Sequence, residues 1–225
     1  MPDPYQEIIR HMSAARREAI EVTQSYLLED CSPGTKLACE YAIRSGYEDF
    51  ESFDPRHQDC WGEFEDWAKE FAADRADEEA DRILDEAEIL PDGRLRLWRA
   101  MTVPTDWIEE GIHKAPIGKC WAWDPAFAIP HQGEGWHDPD RMLVKIRATV
   151  DVAGIDWVET LALNAAGEFT VGDEKEIRLH EEALVEVETI EWAPFGESYK
   201  DGDPVHFEPG ELYPAGKACA PALSC

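Results

Sequence analysis

The chain has 225 residues, of which 44% are hydrophobic, and 9 of them are tryptophan. This length suits one large domain, or a main domain with a smaller appendage, and the hydrophobic fraction excludes a wholly disordered chain. Asp and Glu total 49 against 21 Lys and Arg, a formal net charge of -28, so direct nucleic-acid binding is disfavoured and attraction to a basic partner is favoured.

The 6 cysteines include no pair with the CxxC spacing of zinc sites, so no metal site is expected. The N-terminus lacks the basic start and apolar run of a secretion signal. No segment is apolar enough to span a membrane. We therefore expect a cytoplasmic protein with reduced thiols and no membrane association.

Residues 1–90 are predicted to form an acidic helical region. Apolar residues recur every three or four positions over residues 3–30, 36–45 and about 63–88, which predicts three helices. The outer face of the third helix is dense with Asp and Glu. It is either plain solvated surface or the best candidate surface for a basic partner.

The pattern becomes mostly β-like after a turn at residues 91–93, and residues 91–195 are predicted to form a second domain. Strands are predicted at residues 94–103, 116–123 and 142–150, followed by a helix or strand at 155–163. Within residues 161–187, two β-like runs flank a polar loop. Residues 196–225 are rich in Gly and Pro, which predicts an irregular tail.

Glu174 and Glu176 stand at the end of that polar loop, separated by Lys175 alone. In an extended backbone, side chains two apart point to the same face, so the two carboxylates are expected to lie together. Adjacent carboxylates suit acid–base chemistry, a metal or a developing positive charge. The alternative is a solvated turn in a very acidic protein.

Arg99 lies in an alternating strand and shares a face with Leu95 and Leu97. A buried arginine requires an anion. That anion is either one of the protein's own carboxylates or a bound phosphate or carboxylate ligand. Trp121 and Trp123 lie on one side of a short predicted strand, where each could cover a flat ring or pack in the core.

These features follow one another in a recognisable order. LWRAMTV, which contains Arg99, comes first, GKCWAWDPAFA second, and GDEKEIRL with ALVEVETI last. Over roughly the last 130 residues, this order resembles the mono-ADP-ribosyltransferase family, in its Arg–Ser–Glu branch. The resemblance implies an α+β protein, with an N-terminal helical region followed by a split, mixed β-sheet that holds NAD+ in a cleft.

The resemblance also implies a role for each site residue. Arg99 would hold an NAD+ phosphate or the nicotinamide-side ribose, and the backbone around Ala100 would pair with the nicotinamide amide. Glu176 would be the catalytic glutamate. Glu174 would prepare the acceptor. In the family, a Glu at that position is associated with arginine as the modified residue. Residues 165–173 would form the loop that recognises the target.

The middle motif departs from the family pattern. The family usually has Ser-Thr-Ser there, and its first Ser steadies the catalytic Glu. Cys120, Trp121 and Ala122 occupy the equivalent stretch. Another group, such as a Trp indole N–H, would have to position Glu176. Trp121 and Trp123 are assigned to cofactor binding.

The chemistry fits these residues. Breaking the bond from ribose to nicotinamide builds an oxocarbenium-like cation, which a fixed carboxylate such as Glu176 stabilises. We expect an NAD+-dependent mono-ADP-ribosyltransferase that modifies a basic protein docked on the acidic helices. One alternative is an acidic binding protein that imitates nucleic acid and has a vestigial NAD+ cleft. The other is an NAD+ glycohydrolase that uses water as acceptor.

Overall fold

A computed structural model describes residues 3–29, 31–57, 59–107, 117–128, 140–167, 169, 175–194 and 205–216 of the chain. Its α-helices are α1 (Pro4–Glu29), α2 (Lys36–Arg44), α3 (Trp61–Glu86) and α4 (Trp157–Gly167). Its strands are β1 (Glu88–Ile89), β2 (Leu95–Pro104), β3 (Cys120–Ala122), β4 (Arg141–Val150), β5 (Glu176–Arg178), β6 (Leu184–Pro194), β7 (Val205–His206) and β8 (Leu212–Pro214).

The α+β class is confirmed, but the prediction of a mixed sheet is wrong for the strands described, which pair only in antiparallel fashion. They form one sheet in the order β5-β3-β2-β4-β6-β7, with β1 beside β2 and β8 beside β6. Each of these pairs is antiparallel. Between β4 and β6 the chain passes through α4 and the edge strand β5, and it re-enters the sheet running opposite to β4.

The two faces of β2 have different surroundings. Leu95 and Leu97 are 0% and 1% exposed, and they pair with buried residues of β4. Arg94 and Arg96 point to the opposite face, because side chains alternate along a strand. There Arg96 pairs with Glu188 at 2.8 Å. One face of the sheet therefore carries the core, and ion pairs line the other.

The three N-terminal helices end within about two residues of the predicted limits. Two other predictions are corrected. The run that begins at residue 161 is not β-like, since it lies inside α4, where Thr160, Leu161 and Asn164 are buried at helical spacing. The segment predicted as an irregular tail contains β7 and β8, both of which pair with β6.

Two compact units make up the chain. The first comprises Met1–His11, Glu86–Asp156 and Lys175–Cys225 and contains the sheet. The second comprises Met12–Asp85 and Trp157–Glu174 and contains most of the helical residues. Residues 157–174 lie within the predicted second domain in sequence, yet they group with the helices. None of the described helices is both long and apolar enough to cross a membrane.

Aromatic rings fill the core of the second unit. The ring of Tyr41 lies 5.1 Å from that of Phe64 and 5.2 Å from that of Trp67. Phe169, just after α4, meets Phe71 edge-on at 5.0 Å. The Lys36 ammonium lies 4.8 Å from the centre of the Phe169 ring. The chain after α4 is thereby anchored to the helices.

Candidate active site

Glu176 lies at the start of β5, and its side chain is only 12% exposed. The register pairs Glu176 with Ala122 and Arg178 with Cys120. Directly paired residues of antiparallel strands share a face of the sheet, so these four side chains lie together. Arg178 forms an ion pair with the Glu176 carboxylate. The carboxylate is therefore held by a cation two residues along the same strand.

The Cys120 thiol is the second group that acts on this carboxylate. Burial raises the pKa of Cys120, and the negative charge of Glu176 raises it further, whereas Arg178 and Arg99 oppose the shift. The thiol therefore stays protonated at neutral pH, beside Glu176 on the same face of the sheet. A group from the middle motif thus lies within electrostatic range of the glutamate, although that motif has no serine.

Trp121 and Trp123 do not position Glu176, contrary to the suggestion that an indole N–H could. The Trp121 indole donates to the Gly118 carbonyl at 2.9 Å, and that of Trp123 donates to Glu86 at 3.3 Å. Their side chains are 2% and 1% exposed. Core packing, the alternative noted for both residues, is what the structure shows, and their assignment to cofactor binding gains no support.

Arg99 shares the core face of β2 with Leu95 and Leu97, as predicted. Its guanidinium donates to the Cys120 carbonyl and lies against Gly118. The buried Nε of Arg99 has no hydrogen-bond partner, and no carboxylate of the described residues forms an ion pair with Arg99. The internal salt bridge, which was one of the two alternatives for Arg99, is therefore not seen in that part of the chain.

Arg99 and Glu176 are separated by β3 in the sheet. The register aligns Trp98, not Arg99, with Ala122 and Glu176. Alternation therefore directs the Arg99 and Glu176 side chains to opposite faces. They come within electrostatic range of the same thiol, since both charges shift the pKa of Cys120. The two predicted residues are neighbours around β3, but they do not face each other across it.

Other predicted site residues are only partly covered by the structure. Glu174 lies outside the described residues. Lys175 has a φ of 48°, so the backbone between the two glutamates is not extended, and the argument from alternation fails there. Ala100 pairs with Lys145 of β4 and is half-buried. Of the predicted recognition loop, residues 165–167 end α4 and Phe169 is packed; its other residues are not described.

Lys175 was not predicted as a site residue. Its ammonium pairs with Glu86 at 2.8 Å and with Asp124 at 3.0 Å, and it lies 4.8 Å from the centre of the Phe127 ring. Its carbonyl accepts from the Trp123 N–H at 3.2 Å. Arg178 was also missed, although its place two residues after Glu176 in a predicted strand was a readable signal.

The described residues contain no group of three or more His, Cys, Asp or Glu that could hold a metal ion. The groups suited to a dinucleotide are the Arg99 guanidinium for a phosphate and the Glu176 carboxylate for a ribose hydroxyl or a developing cation. Comparison of the chain with protein-family models, with curated proteins and with solved structures gives no match.

Proposed function

We propose that this protein is an NAD+-dependent mono-ADP-ribosyltransferase that modifies a protein target on arginine. One observation carries the proposal: Glu176, at 12% exposure, forms an ion pair with Arg178 and shares a face of the sheet with the Cys120 thiol. A carboxylate that is held by an ion pair in a poorly hydrated place is suited to stabilise the cation that forms when nicotinamide leaves.

Other groups take roles consistent with this chemistry. Arg99 binds a phosphate of NAD+. Because the side chains of Arg99 and Glu176 point to opposite faces of the sheet, this role requires the dinucleotide to reach both faces beside β3. The backbone near Ala100 pairs with the nicotinamide amide. Glu174 takes the proton from the incoming arginine side chain. Nicotinamide departs as a neutral ring, so the leaving group requires no general acid.

The test uses purified protein, NAD+ labelled in its adenylate half, and a basic acceptor protein. We expect label on arginine and release of nicotinamide. Glu176→Gln should lower both rates by about 10²–10³, the usual loss when a group that stabilises the transition state is removed. Glu181→Gln is the matched control, because Glu181 is 52% exposed. Wild-type protein that neither transfers label nor releases nicotinamide would contradict the proposal.

The charge distribution favours a second candidate, an acidic protein that occupies a basic cleft in place of nucleic acid. α3 carries eleven acidic residues against three basic ones. Such a protein would bind a basic partner in a salt-sensitive way, and Glu176→Gln would not weaken that binding. Nicotinamide release without any labelled protein would instead indicate an NAD+ glycohydrolase.

A further inference from the structure

An apolar patch is exposed at the end of α2. Ile43, Tyr47 and Phe50 are 60%, 39% and 36% exposed. The chain after α2 folds back along the helix, since the Tyr47 N–H donates to the Ala42 carbonyl at 2.9 Å and the Cys39 thiol donates to the Phe50 carbonyl at 3.5 Å. We call Cys39, Ile43, Tyr47 and Phe50 the α2 patch.

The α2 patch is held on a packed base. The Tyr47 ring lies 4.6 Å from that of Phe53, which is 4% exposed. The Ser45 and Gly46 N–H groups donate to carbonyls of α2, which fixes the turn that leads to Tyr47. The apolar surface is therefore formed before any partner arrives, so little conformational entropy is lost on binding.

Exposed acidic residues lie among and beside the residues of the α2 patch in sequence. Glu40, Glu48, Asp49 and Glu51 are exposed, and Arg44 is the one exposed cation within residues 39–53. An apolar centre with a charged rim is the usual anatomy of a protein-binding surface. The rim is negative, so it favours a positively charged occupant.

We propose that the α2 patch docks a basic polypeptide segment that presents apolar side chains between its Lys and Arg residues. A second copy of this chain is disfavoured as occupant, because each copy carries a formal net charge of -28. The surface lies within the second unit and needs no NAD+. The inference therefore goes beyond the transferase proposal and does not depend on it.

The test measures binding of a synthetic amphipathic peptide of Leu and Lys to the full chain by calorimetry, with oligolysine of equal charge as comparison. We expect the Leu/Lys peptide to bind more tightly than oligolysine. Ile43→Ser with Tyr47→Ser should weaken its binding about tenfold, which corresponds to about 1.4 kcal/mol. Leu184→Ser with Leu212→Ser is the matched control, because these side chains are 49% and 55% exposed on the sheet.

A second pair of variants tests the charged rim. Glu48→Gln with Asp49→Asn should weaken peptide binding and reduce its dependence on salt. Asp74→Asn with Asp81→Asn removes the same charge from the exposed side of α3 and should have a smaller effect. Circular dichroism of each variant separates loss of binding from loss of fold, and the exposed positions are chosen so that folding persists.

Three results would overturn the proposal. Oligolysine could bind as tightly as the Leu/Lys peptide, which would leave the apolar centre without a role. The α2 patch variants could bind like wild type. Light scattering could reveal dimers that Ile43→Ser dissociates, which would make a second copy the occupant. Each of these outcomes leaves the rate of nicotinamide release untouched, so failure here is distinguishable from failure of the transferase proposal.

Discussion

The ammonium of Lys175 lies 2.8 Å from the carboxylate of Glu86. Lys175 immediately precedes Glu176, and its φ of 48° is in a region that few residues other than glycine adopt. Its ammonium also pairs with Asp124, and its carbonyl accepts from Trp123. These contacts hold an unfavourable backbone conformation at the residue immediately before β5.

Lys175→Met should lower the free energy of unfolding by about 1–2 kcal/mol, because it removes two ion pairs of a side chain that is only 16% exposed. Urea denaturation monitored by tryptophan fluorescence would measure this. Arg10→Met is the control, since Arg10 and its partner Glu7 are 71% and 58% exposed. Equal effects for the two variants would show that the Lys175 contacts contribute little.

Gly118→Ala should destabilise the protein more than Gly46→Ala. Both glycines have positive φ, 94° and 79°, so both substitutions carry a backbone cost of about 1 kcal/mol. A methyl group at Gly118 would meet the Arg99 guanidinium at 2.5 Å, whereas a methyl group at Gly46 meets nothing within 4 Å. The loss of unfolding free energy for Gly118→Ala beyond that for Gly46→Ala therefore measures the steric contact with Arg99.

Thermal unfolding of the two variants, together with the Arg99→Ala, Gly118→Ala double variant, would check this expectation. Removing the Arg99 guanidinium should remove the steric clash with the methyl group at position 118. The destabilisation of the double variant should therefore be smaller than the sum of the two single effects. Additive effects would indicate that Arg99 moves aside without cost.

Glu186→Gln should destabilise the protein in a pH-dependent way. The Gly210 N–H and the Arg94 guanidinium lower the pKa of Glu186 below its usual value. Ionised Glu186 therefore contributes stability above the unfolded pKa of about 4.3, and the contribution is lost as the pH falls through the lower folded value.

Urea denaturation should accordingly give a difference between wild type and Glu186→Gln of about 1–2 kcal/mol at neutral pH, because hydrogen bonds to a charged group are lost. The difference should shrink towards zero at about pH 3. Glu182→Gln, at an exposed position, should show little difference at any pH. A loss for Glu186→Gln that stays constant down to low pH would contradict this account.

The described cysteines should differ in their reaction with iodoacetamide. Burial raises the pKa of Cys31 to about 11, and burial with the Glu176 charge raises that of Cys120. Because the thiolate is the reactive form, both should react slowly in the folded protein. Cys39, which is less buried than Cys31, should react sooner.

Peptide-resolved mass spectrometry after timed alkylation would measure these rates, and urea should make them converge. Glu176→Gln removes the negative charge beside Cys120, so it should accelerate alkylation of Cys120 and leave Cys31 unchanged. Unchanged alkylation of Cys120 in that variant would argue against the contact between the thiol and Glu176.

The sequence predicted the helices well, because long amphipathic periods and turn residues such as Gly34 and Gly46 are local signals. It also predicted a polar strand start at Glu176 and the place of Arg99 on the apolar face of β2. It could not reveal that Lys175 adopts a positive φ, since ion pairs with residues distant in sequence stabilise that conformation. The error at α4 has a related cause: LALNAAG is apolar and short, and burial decides between strand and helix there.

The partners of Glu176 depend on register. The pairing of β3 with β5 places Cys120 and Ala122 on the face of the Glu176 carboxylate, and a shift by one residue would bring Trp121 to that face instead. The burial of Trp121 and Trp123 follows from the same register. No feature of a single strand determines this register, so the sequence left both ring stacking and the commoner core packing open for these residues.

The aromatic core of the second unit determines where the protein can be truncated without loss of packing. Ala166 and Phe169 complete a cluster whose other members precede residue 77, so a fragment that stops at the end of α3 would lack part of its own interior. During synthesis on the ribosome, the hydrophobic core of the first three helices remains incomplete until about eighty further residues, up to Ala166 and Phe169, have been added. Truncation after α3 should therefore yield a poorly packed, aggregation-prone species instead of an isolated helical domain.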